Sequence, residues 1–224
     1  MAAGAAIFDV DGTLTDTNHL HVVAWWEAFR QAGHTVPMPD IHRAVGLGSG
    51  DLIERLLGPG RDRDQDSAIS SAHKVLYGTY FDRLPAFEGA GDLLRTLAGR
   101  DWRVVLATSA SGPELAALRR AVDADEAVRA TASSDDVDEG KPAPEPVRLA
   151  LELAGTDAAQ AVFVGDTVWD MEAATRAGVR SVALLSGGIP RADLQAAGAD
   201  AVFRDVAELL ARLDDSPFGA PSAA

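Results

Sequence analysis

The chain has 224 residues, of which 47% are hydrophobic and 24% are charged, a composition typical of soluble globular proteins. This length exceeds one minimal domain but falls short of two average ones, so we expect a single core with a sizeable insertion. The formal net charge of −14 disfavours binding to nucleic acid or to acidic lipids. The absence of cysteine excludes disulfides, thiolate metal ligands and cysteine nucleophiles.

The sequence also carries signals about location. Residues 1–6 are small and lack the basic segment of a signal peptide. No apolar run approaches the roughly 20 residues that cross a bilayer. We therefore expect a cytoplasmic protein without a membrane partner, and the lack of an extended heptad pattern makes a monomer the expected state.

Short apolar runs alternate with helix-like segments along most of the chain. Continuous rather than alternating apolarity is typical of strands that are buried on both faces. This alternation predicts the α/β class with a doubly wound parallel sheet. The predicted strands lie at residues 5–10, 104–108, 161–165, 181–185 and 201–203, and the predicted helices at 91–97, 114–122, 146–153, 171–177 and 206–213.

The interval 17–84 interrupts this alternation, because it contains no convincing strand. Apolar residues recur there at helical spacing, over residues 20–32 and again over 68–84. The interval therefore corresponds to the insertion that the length suggests. We predict an α/β core domain from residues 1–15 and 86–213, a small all-α cap domain from residues 16–85, and a disordered tail from residues 214–224.

Two carboxylates follow the first predicted strand. Asp9 and Asp11 leave the sheet at the carboxyl end of a strand, where open α/β folds bind ligands. The period of two in an extended chain puts both on one side, close enough to share a cation or to divide the roles of nucleophile and acid. Gly12 then permits a sharp turn. An isolated Asp-x-Asp-Gly would simply be an acidic turn.

A second acidic pair follows another buried strand. Asp166 comes directly after Gly165, and Asp170 lies four residues further on, where a helix begins. The two acids could instead be an N-cap and a first-turn acid. Together with Asp9 and Asp11 they indicate a hard-cation site, and oxygen-only ligation favours Mg²⁺ over a transition metal.

Hydroxyl and ammonium groups accompany these acids. The strand that ends near Thr108 and Ser109 supplies hydroxyls that can bind phosphate oxygens, or that can cap the next helix. Lys141 stands in a Gly-Lys-Pro-x-Pro segment, stiffened by the prolines. A lone lysine there would normally be solvated.

These four segments resemble, in order and spacing, the four motifs of the haloacid dehalogenase superfamily of Mg²⁺-dependent phosphotransferases. The resemblance covers nearly the whole chain. The helical insertion directly after the first motif is similar to the first type of cap, which is found in the β-phosphoglucomutase and phosphoglycolate phosphatase branch. The resemblance implies a Rossmann-like core with this cap.

The resemblance also implies roles. Asp9 attacks phosphorus to form an aspartyl phosphate, and Asp11 protonates the leaving oxygen and later deprotonates water. Mg²⁺ is held by Asp9, Asp166 and the main-chain carbonyl of Asp11. Asp170 orients the water shell of the metal.

The remaining motif residues bind the phosphoryl group by the same resemblance. Lys141 and Mg²⁺ balance the charge of the acids beside an incoming phosphate. Thr108 and Ser109 donate to the transferring oxygens, where charge stabilisation dominates the rate. Spacing does not decide which of these two is the main donor, and we favour Thr108.

Three cap positions are candidates for substrate binding: Thr17, His21 and Gly46. Thr17, His21 and Trp25 correspond to residues that face the site in the β-phosphoglucomutase branch, although His21 could equally pack on its helix. Trp25 and the adjacent Trp26 fit core packing better, and only one of them can face the cleft.

A glycine-rich loop supplies the third candidate, Gly46, which matches the specificity loop of that branch. Two cationic positions that flank this glycine in sugar-phosphate mutases correspond here to Val45 and Ser49. Without these cations, the cap is poorly suited to hold a second phosphate group.

We therefore predict a Mg²⁺-dependent phosphatase that hydrolyses a small phosphorylated metabolite, such as a sugar phosphate or a phosphoglycolate-like ester. A β-phosphoglucomutase-type mutase is the alternative, since it shares all four motifs. A metal-free 2-haloacid dehalogenase is disfavoured by Asp11, Asp166 and Asp170, and a non-catalytic binding module by the completeness of the motifs.

Overall fold

A parallel six-stranded sheet forms the centre of the protein, whose computed structural model describes residues 4–110 and 112–219. The strands are β1 (Ala5–Phe8), β2 (Arg103–Ala107), β3 (Val128–Ala132), β4 (Ala161–Gly165), β5 (Arg180–Leu184) and β6 (Ala201–Phe203). Their order is β3-β2-β1-β4-β5-β6. This order confirms the doubly wound α/β fold, in which the direction of winding reverses between β1 and β4.

Helices cover both faces of the sheet. Those outside the insertion are α5 (Ala90–Gly99), α6 (Gly112–Val122), α7 (Glu145–Ala154), α8 (Val168–Ala177), α9 (Arg191–Ala196) and α10 (Val206–Ala211). Phe8 packs on one side, in a cluster with apolar residues of α5, α6 and α10, and Ile7 packs on the other side with α7 and α8. Burial on both faces explains why the central strands are continuously apolar.

Strand β3 was not predicted from the sequence. It lies at the edge of the sheet, and most of its residues are only partly buried, with Arg129 exposed. The strand therefore lacks the continuous apolar run that identified its neighbours. The six-residue helix α9 was not predicted either.

Four helices form the insertion between β1 and β2. They are α1 (Asn18–Gln31), α2 (Met38–Ala44), α3 (Ser49–Leu57) and α4 (Asp66–Gly78). They surround an apolar cluster of their own, which includes Trp25, Phe29, Ile41, Leu52 and Ile69. We retain the division into a core and a cap at residues 16–85 as a proposal, and this separate cluster supports it.

The two segments that join the insertion to the sheet lie side by side. The Asp16 amide donates to the Pro85 carbonyl at 2.9 Å, and the Phe87 amide donates to the Leu14 carbonyl at 2.9 Å. The pairing brings the start of α1 next to the end of β1. Residues of α1 therefore reach the carboxyl end of the sheet.

The prediction of a disordered tail is wrong for residues 214–219. The rest of that tail, residues 220–224, lies outside the described residues. A 3₁₀ turn spans Leu213–Asp215, and Phe218 is buried. The Phe218 ring stacks on Phe8 at 6.3 Å between centroids and meets Trp102 edge-on at 5.1 Å. The burial of one aromatic side chain holds this segment in place although it contains Pro217 and Gly219.

No helix within residues 4–110 and 112–219 is both long and apolar enough to cross a bilayer.

Candidate active site

The carboxyl ends of three neighbouring strands bring most of the predicted site residues together. Asp9 directly follows β1, Asp166 follows β4, and Thr108 follows β2. Because β1 lies between β2 and β4, these three side chains meet at one edge of the sheet. This edge is the position at which doubly wound folds bind ligands.

Three carboxylates form an acidic cluster at this edge: Asp9, Asp166 and Asp170. One oxygen of each lies within 4.8 Å of the others, and all three residues are buried. Lys141 is also buried and donates from Nζ to Oδ1 of Asp9 and, at 2.7 Å, to Oδ1 of Asp170. One ammonium therefore joins two of the three acids.

Asp166 has neutral partners instead of a cation. Thr13 donates from Oγ1 to Asp166 Oδ1 at 2.9 Å, and Asn18 donates from Nδ2 to Asp166 Oδ2 at 2.8 Å. The other polar atom of Asn18, Oδ1, is buried and has no hydrogen-bond partner within the described part of the chain. An acceptor without a donor thus adjoins the acidic cluster.

Burial alters the protonation of the cluster. Loss of water raises the pKa of the Asp9 carboxyl to about 7, although the Lys141 ammonium lowers it. Burial and the charge of Asp170 raise the pKa of Asp166 well above its ordinary value. Burial lowers the pKa of Lys141, but the carboxylates of Asp170 and Asp9 outweigh this and raise it. The ammonium is therefore charged at neutral pH.

The acidic cluster fits a hard divalent cation. Its donors are all oxygen atoms, which Mg²⁺ prefers. When all three carboxylates are ionised, they face one ammonium and leave negative charge unmatched, and this repulsion is one cause of the raised pKa of Asp166. The buried, unpartnered Asn18 Oδ1 adds a further acceptor nearby. These residues could hold such an ion.

Asp170 belongs both to the acidic cluster and to the start of α8. Thr167 is the N-cap residue, and its side chain and that of Asp170 bond each other's backbone in a capping box. Thr167 Oγ1 also donates to Asp170 Oδ2 at 2.6 Å. Thr167, and not Asp166, is therefore the N-cap residue of α8. The capping box holds one carboxylate oxygen of Asp170, and the other oxygen accepts from Lys141.

The two candidate phosphate donors differ in exposure. Thr108 is buried, and its Oγ1 accepts from the Ala110 amide at 3.1 Å, whereas Ser109 is exposed. Both line a cavity of about 300 Å³ together with Lys141, which we call the second cavity. Either hydroxyl can reach a ligand there.

Asp11 does not join the acidic cluster as the period of two predicted. Strand β1 ends at Phe8, and a turn begins at Gly12, so the extended geometry that would align Asp9 and Asp11 is lost. The Asp11 carboxylate instead accepts from Thr17 Oγ1 at 2.6 Å and lies 3.2 Å from His21 Nε2. Both partners come from the beginning of the insertion.

Asp11, His21 and Glu114 form a second group, which we call the cap-facing cluster. The ligating atoms of these residues lie within 4.8 Å of one another, and Glu114 Oε1 is 3.7 Å from His21 Nε2. On its other side, His21 Nδ1 lies 3.1 Å from His73 Nε2 of α4. His21 therefore bridges the core acids and the cap.

The proton of this cluster lies on His21. Burial raises the pKa of Asp11, but the charge and hydrogen bond of His21 and the Thr17 hydroxyl outweigh it and lower the pKa below its ordinary value. Burial lowers the pKa of His21, but Asp11 and then Glu114 outweigh it and raise that pKa. Burial lowers the pKa of His73 to about 2, so His73 is neutral and can accept from His21.

A cavity of about 130 Å³, here called the first cavity, lies between the core and the cap and borders residues of both clusters. Its walls include the predicted cap residues His21, Trp25 and Gly46. Trp26 does not line it and instead lies under Arg30, as expected if only one of the two tryptophans faces the cleft. Thr17 lies behind the cavity wall, bonded to Asp11.

Gly46 brings the cap loop against the core. It has a φ of +99°, and a Cβ built there would lie 3.0 Å from Thr167 and 3.2 Å from Trp169. Any larger residue would therefore be strained and would push the loop away from α8. Val45 and Ser49 on either side also line the first cavity, as neutral residues.

Several site residues were not identified from the sequence. Lys74 and Glu114 line the first cavity, and His73 lies behind His21. Glu114 lies in the first turn of the helix after the Thr108 loop, and first-turn residues at that edge of the sheet could have been searched for it. Lys74 places a cation at the cavity although Val45 and Ser49 do not.

Trp169 is a further site residue that the sequence analysis did not predict. It stands at one of the unassigned positions of the Gly-Asp-x-x-x-Asp motif. It belongs to α8, yet its ring packs in the apolar cluster of the insertion. Its Nε1 donates to the Arg43 carbonyl at 3.2 Å, and the Arg55 guanidinium lies 4.7 Å from its ring centroid. Trp169 thus connects the core to the cap.

The strand order and the buried carboxylates define an α/β protein whose site suits a cation and an anionic ligand. Comparison with known proteins gives the family. A family model described as haloacid dehalogenase-like hydrolase matches residues 4–178. The chain therefore belongs to the haloacid dehalogenase-like hydrolases.

Individual relatives agree with this assignment. Phosphoglycolate phosphatase from Rhodospirillum rubrum is 31% identical over 92% of this chain and 88% of its own length. N-acetylmuramic acid 6-phosphate phosphatase from Pseudomonas aeruginosa is 29% identical over 96% of both chains. The crystal structure of a hydrolase from Pseudomonas syringae superposes with a TM-score of 0.90 at 33% identity, over 95% of this chain and 98% of that one.

Proposed function

We propose that this enzyme, a phosphoric monoester hydrolase of the haloacid dehalogenase-like family, hydrolyses a small phosphate ester with Mg²⁺ through an aspartyl phosphate on Asp9. One observation carries the proposal: Asp9 lies at a strand end, bonded to Lys141, where it borders the first cavity. A nucleophile, a fixed cation and space for a ligand therefore coincide. The names of the relatives support the class of reaction.

Asp9, Asp166 and the main-chain carbonyl of Asp11 would hold Mg²⁺, and Asp170 would orient its water shell. When bound, the ion would offset the carboxylate charge and stabilise charge on the phosphoryl oxygens. The residues of the chain supply the rest of the chemistry.

In the first step, an Asp9 oxygen attacks phosphorus and the bond from phosphorus to the ester oxygen breaks. The departing oxygen takes a proton through Asp11, because His21 passes its own proton to the Asp11 carboxylate across the 3.2 Å contact between them. Asp9 then carries the phosphoryl group. One difficult displacement is thereby divided into two.

In the second step, water attacks phosphorus of the aspartyl phosphate. Asp11 accepts the proton of this water and passes it back to His21, and the bond from phosphorus to the Asp9 oxygen breaks. Phosphate leaves, and the carboxylate of Asp9 is restored. The same pair of residues therefore serves as acid and then as base.

Lys141 and the hydroxyls near Thr108 hold the transferring group. Lys141 Nζ already contacts Asp9, so its charge lies where negative charge develops on the phosphoryl oxygens. Thr108 and Ser109 would donate to the same oxygens from the wall of the second cavity. We keep Thr108 as the favoured donor because it is buried and directly follows β2.

The test is a panel of small phosphate esters, including sugar phosphates and 2-phosphoglycolate, assayed for inorganic phosphate. We expect release to require Mg²⁺ and to fall at least 10³-fold in Asp9→Asn, whereas Asp82→Asn, at an exposed position, is the matched control. Activity that survives chelation or Asp9→Asn would contradict the proposal. So would metal-free chloride release from a 2-haloacid.

A hydrolase is favoured over a mutase by the cap. A mutase must grip a second phosphate while it protects the aspartyl phosphate from water. Val45 and Ser49 offer no charge for that grip, which leaves Lys74 as the one lysine or arginine among the described residues that line the first cavity. We expect β-glucose 1-phosphate with a trace of glucose 1,6-bisphosphate to give free phosphate in a phosphorus NMR time course. Faster accumulation of glucose 6-phosphate would restore the mutase.

A further inference from the structure

Glu114 is a half-buried carboxylate that lines the first cavity. It lies in the first turn of α6, and its side chain is 19% exposed. The mechanism proposed above does not use it. Its Oε1 lies 3.7 Å from His21 Nε2, which is too long for a hydrogen bond.

The Glu114 carboxylate accepts no hydrogen bond from residues within 4–110 and 112–219. Partial burial raises the pKa of this carboxyl to about 7. The residue lines the first cavity, where hydroxyl groups of a ligand can donate to its oxygens.

The cap side of the first cavity offers little positive charge to a ligand. Asp11 and Glu114 line it together with Lys74, and the Lys74 ammonium is close enough to Glu114 to lower the pKa of that carboxyl. A carboxylate or a second phosphate on the leaving group would therefore face two acids and a lysine that already interacts with one of them. A neutral leaving group avoids this repulsion.

The remaining walls are largely apolar. Trp25, Leu47 and Leu52 line the same cavity. A ligand with hydroxyls on one side and carbon-bound hydrogens on the other suits this combination. Polyols and sugars have this character, whereas glycolate, which carries a carboxylate, does not.

We propose that Glu114 recognises the leaving group by accepting hydrogen bonds from its hydroxyls, so that the enzyme prefers phosphate esters of neutral polyols to those of carboxylated alcohols. This inference rests on the proposed phosphatase function. It makes Glu114 a specificity residue. The acid and base chemistry stays with Asp11.

Three esters separate hydroxyl recognition from charge: glycerol 1-phosphate, n-propyl phosphate, which lacks the two hydroxyls, and 2-phosphoglycolate. For the unmodified enzyme we expect kcat/KM with glycerol 1-phosphate to exceed that of the other two esters at least tenfold. Because each ratio is compared between variants, the intrinsic reactivity of each ester cancels.

Two substitutions then separate hydrogen bonding from charge. Glu114→Ala should bring the ratio of glycerol 1-phosphate to n-propyl phosphate within about threefold of one. Glu114→Gln keeps an acceptor, so it should retain most of that ratio while kcat/KM for 2-phosphoglycolate rises several-fold. Glu152→Gln, on the exposed side of α7, is the matched control and should change none of the ratios.

The outcomes are distinguishable. If no ester releases phosphate with Mg²⁺, the proposed function fails and this inference fails with it. If the esters are hydrolysed but 2-phosphoglycolate is preferred, or the ratios are the same in Glu114→Ala, the phosphatase stands and the role of Glu114 is wrong. Thermal melting of each variant confirms that a changed ratio comes from a folded enzyme.

Discussion

The acidic cluster and the cap-facing cluster lie side by side but are built differently. In the acidic cluster, the contacting side chains of Asp9, Asp170 and Lys141 are at most 8% exposed and bonded to one another. In the cap-facing cluster, exposure rises to 19% at Glu114, and the His21 to Glu114 contact lengthens to 3.7 Å. Residues held by the sheet therefore suit the fixed geometry that phosphoryl transfer requires, and residues supplied partly by the cap suit the choice of leaving group.

The largest effect should come from the cation that the acidic cluster shares. Lys141→Met leaves Asp9 and Asp170 buried without their ammonium, which should lower the free energy of unfolding by about 3 kcal/mol. Phosphate release should fall at least 10³-fold, because the charge on the transferring oxygens is no longer offset. Urea unfolding and phosphate assays measure the two effects.

The control for Lys141 is Arg148→Met, which removes an exposed cation from α7. It should leave stability and turnover close to those of the parent enzyme. Turnover by Lys141→Met within tenfold of the parent would show that the acidic cluster does not need its lysine.

A smaller effect is expected in the cap-facing cluster. His21→Gln removes the group that replenishes the proton of Asp11, so kcat should fall about 10- to 100-fold for alkyl phosphates. The loss should be several times smaller for p-nitrophenyl phosphate, because its leaving group departs without a proton. A purely structural role of His21 would slow both esters equally.

His34→Gln provides the comparison for His21, since His34 bonds Gln65 away from both clusters. Little change is expected for either ester. An equal loss in both histidine variants would indicate a general effect of the cap.

The smallest effect concerns the contact that connects the two regions. Trp169→Phe removes the hydrogen bond to the Arg43 carbonyl and weakens the stacking with Arg55. We expect KM to rise about three- to tenfold with little change in kcat, because the cap closes less firmly over an intact acidic cluster.

Trp26→Phe, at a half-buried position on α1, is the matched substitution and should leave KM unchanged. Should Trp169→Phe lower kcat and leave KM as it was, the contact would belong to the chemical step instead of to cap closure.

The sequence predicted those parts of the fold that bury continuous apolar runs. The strands that precede Asp9 and Asp166 are buried on both faces, so their pattern was clear. Strand β3 at the sheet edge lacked that pattern. Phe218 was missed because its partners, Phe8 and Trp102, lie far away in the chain, and a glycine- and proline-rich segment suggests disorder locally.

The site residues were likewise predictable only where a local sequence motif marks them. Asp9, Asp166 and Lys141 stand in short motifs at strand ends or in a stiff loop, and they come together in the structure. Asn18 stands in no motif, and the sequence marks Glu114 only by its place in the first turn of α6. Their contacts arise from the packing of α1 and α6 against the sheet. The separation of Asp11 from Asp9 depended on where β1 ends, which an apolar pattern does not define to one residue.

The central claim is that Asp9 carries the phosphoryl group, and trapping tests it most directly. Enzyme mixed with Mg²⁺ and excess ester is quenched in acid within one turnover and reduced with borohydride, which converts an aspartyl phosphate to homoserine. We expect mass spectrometry of the peptides to place homoserine at position 9, with none in samples that lack Mg²⁺. Homoserine at another aspartate, or none while phosphate is released at the full rate, would contradict the account.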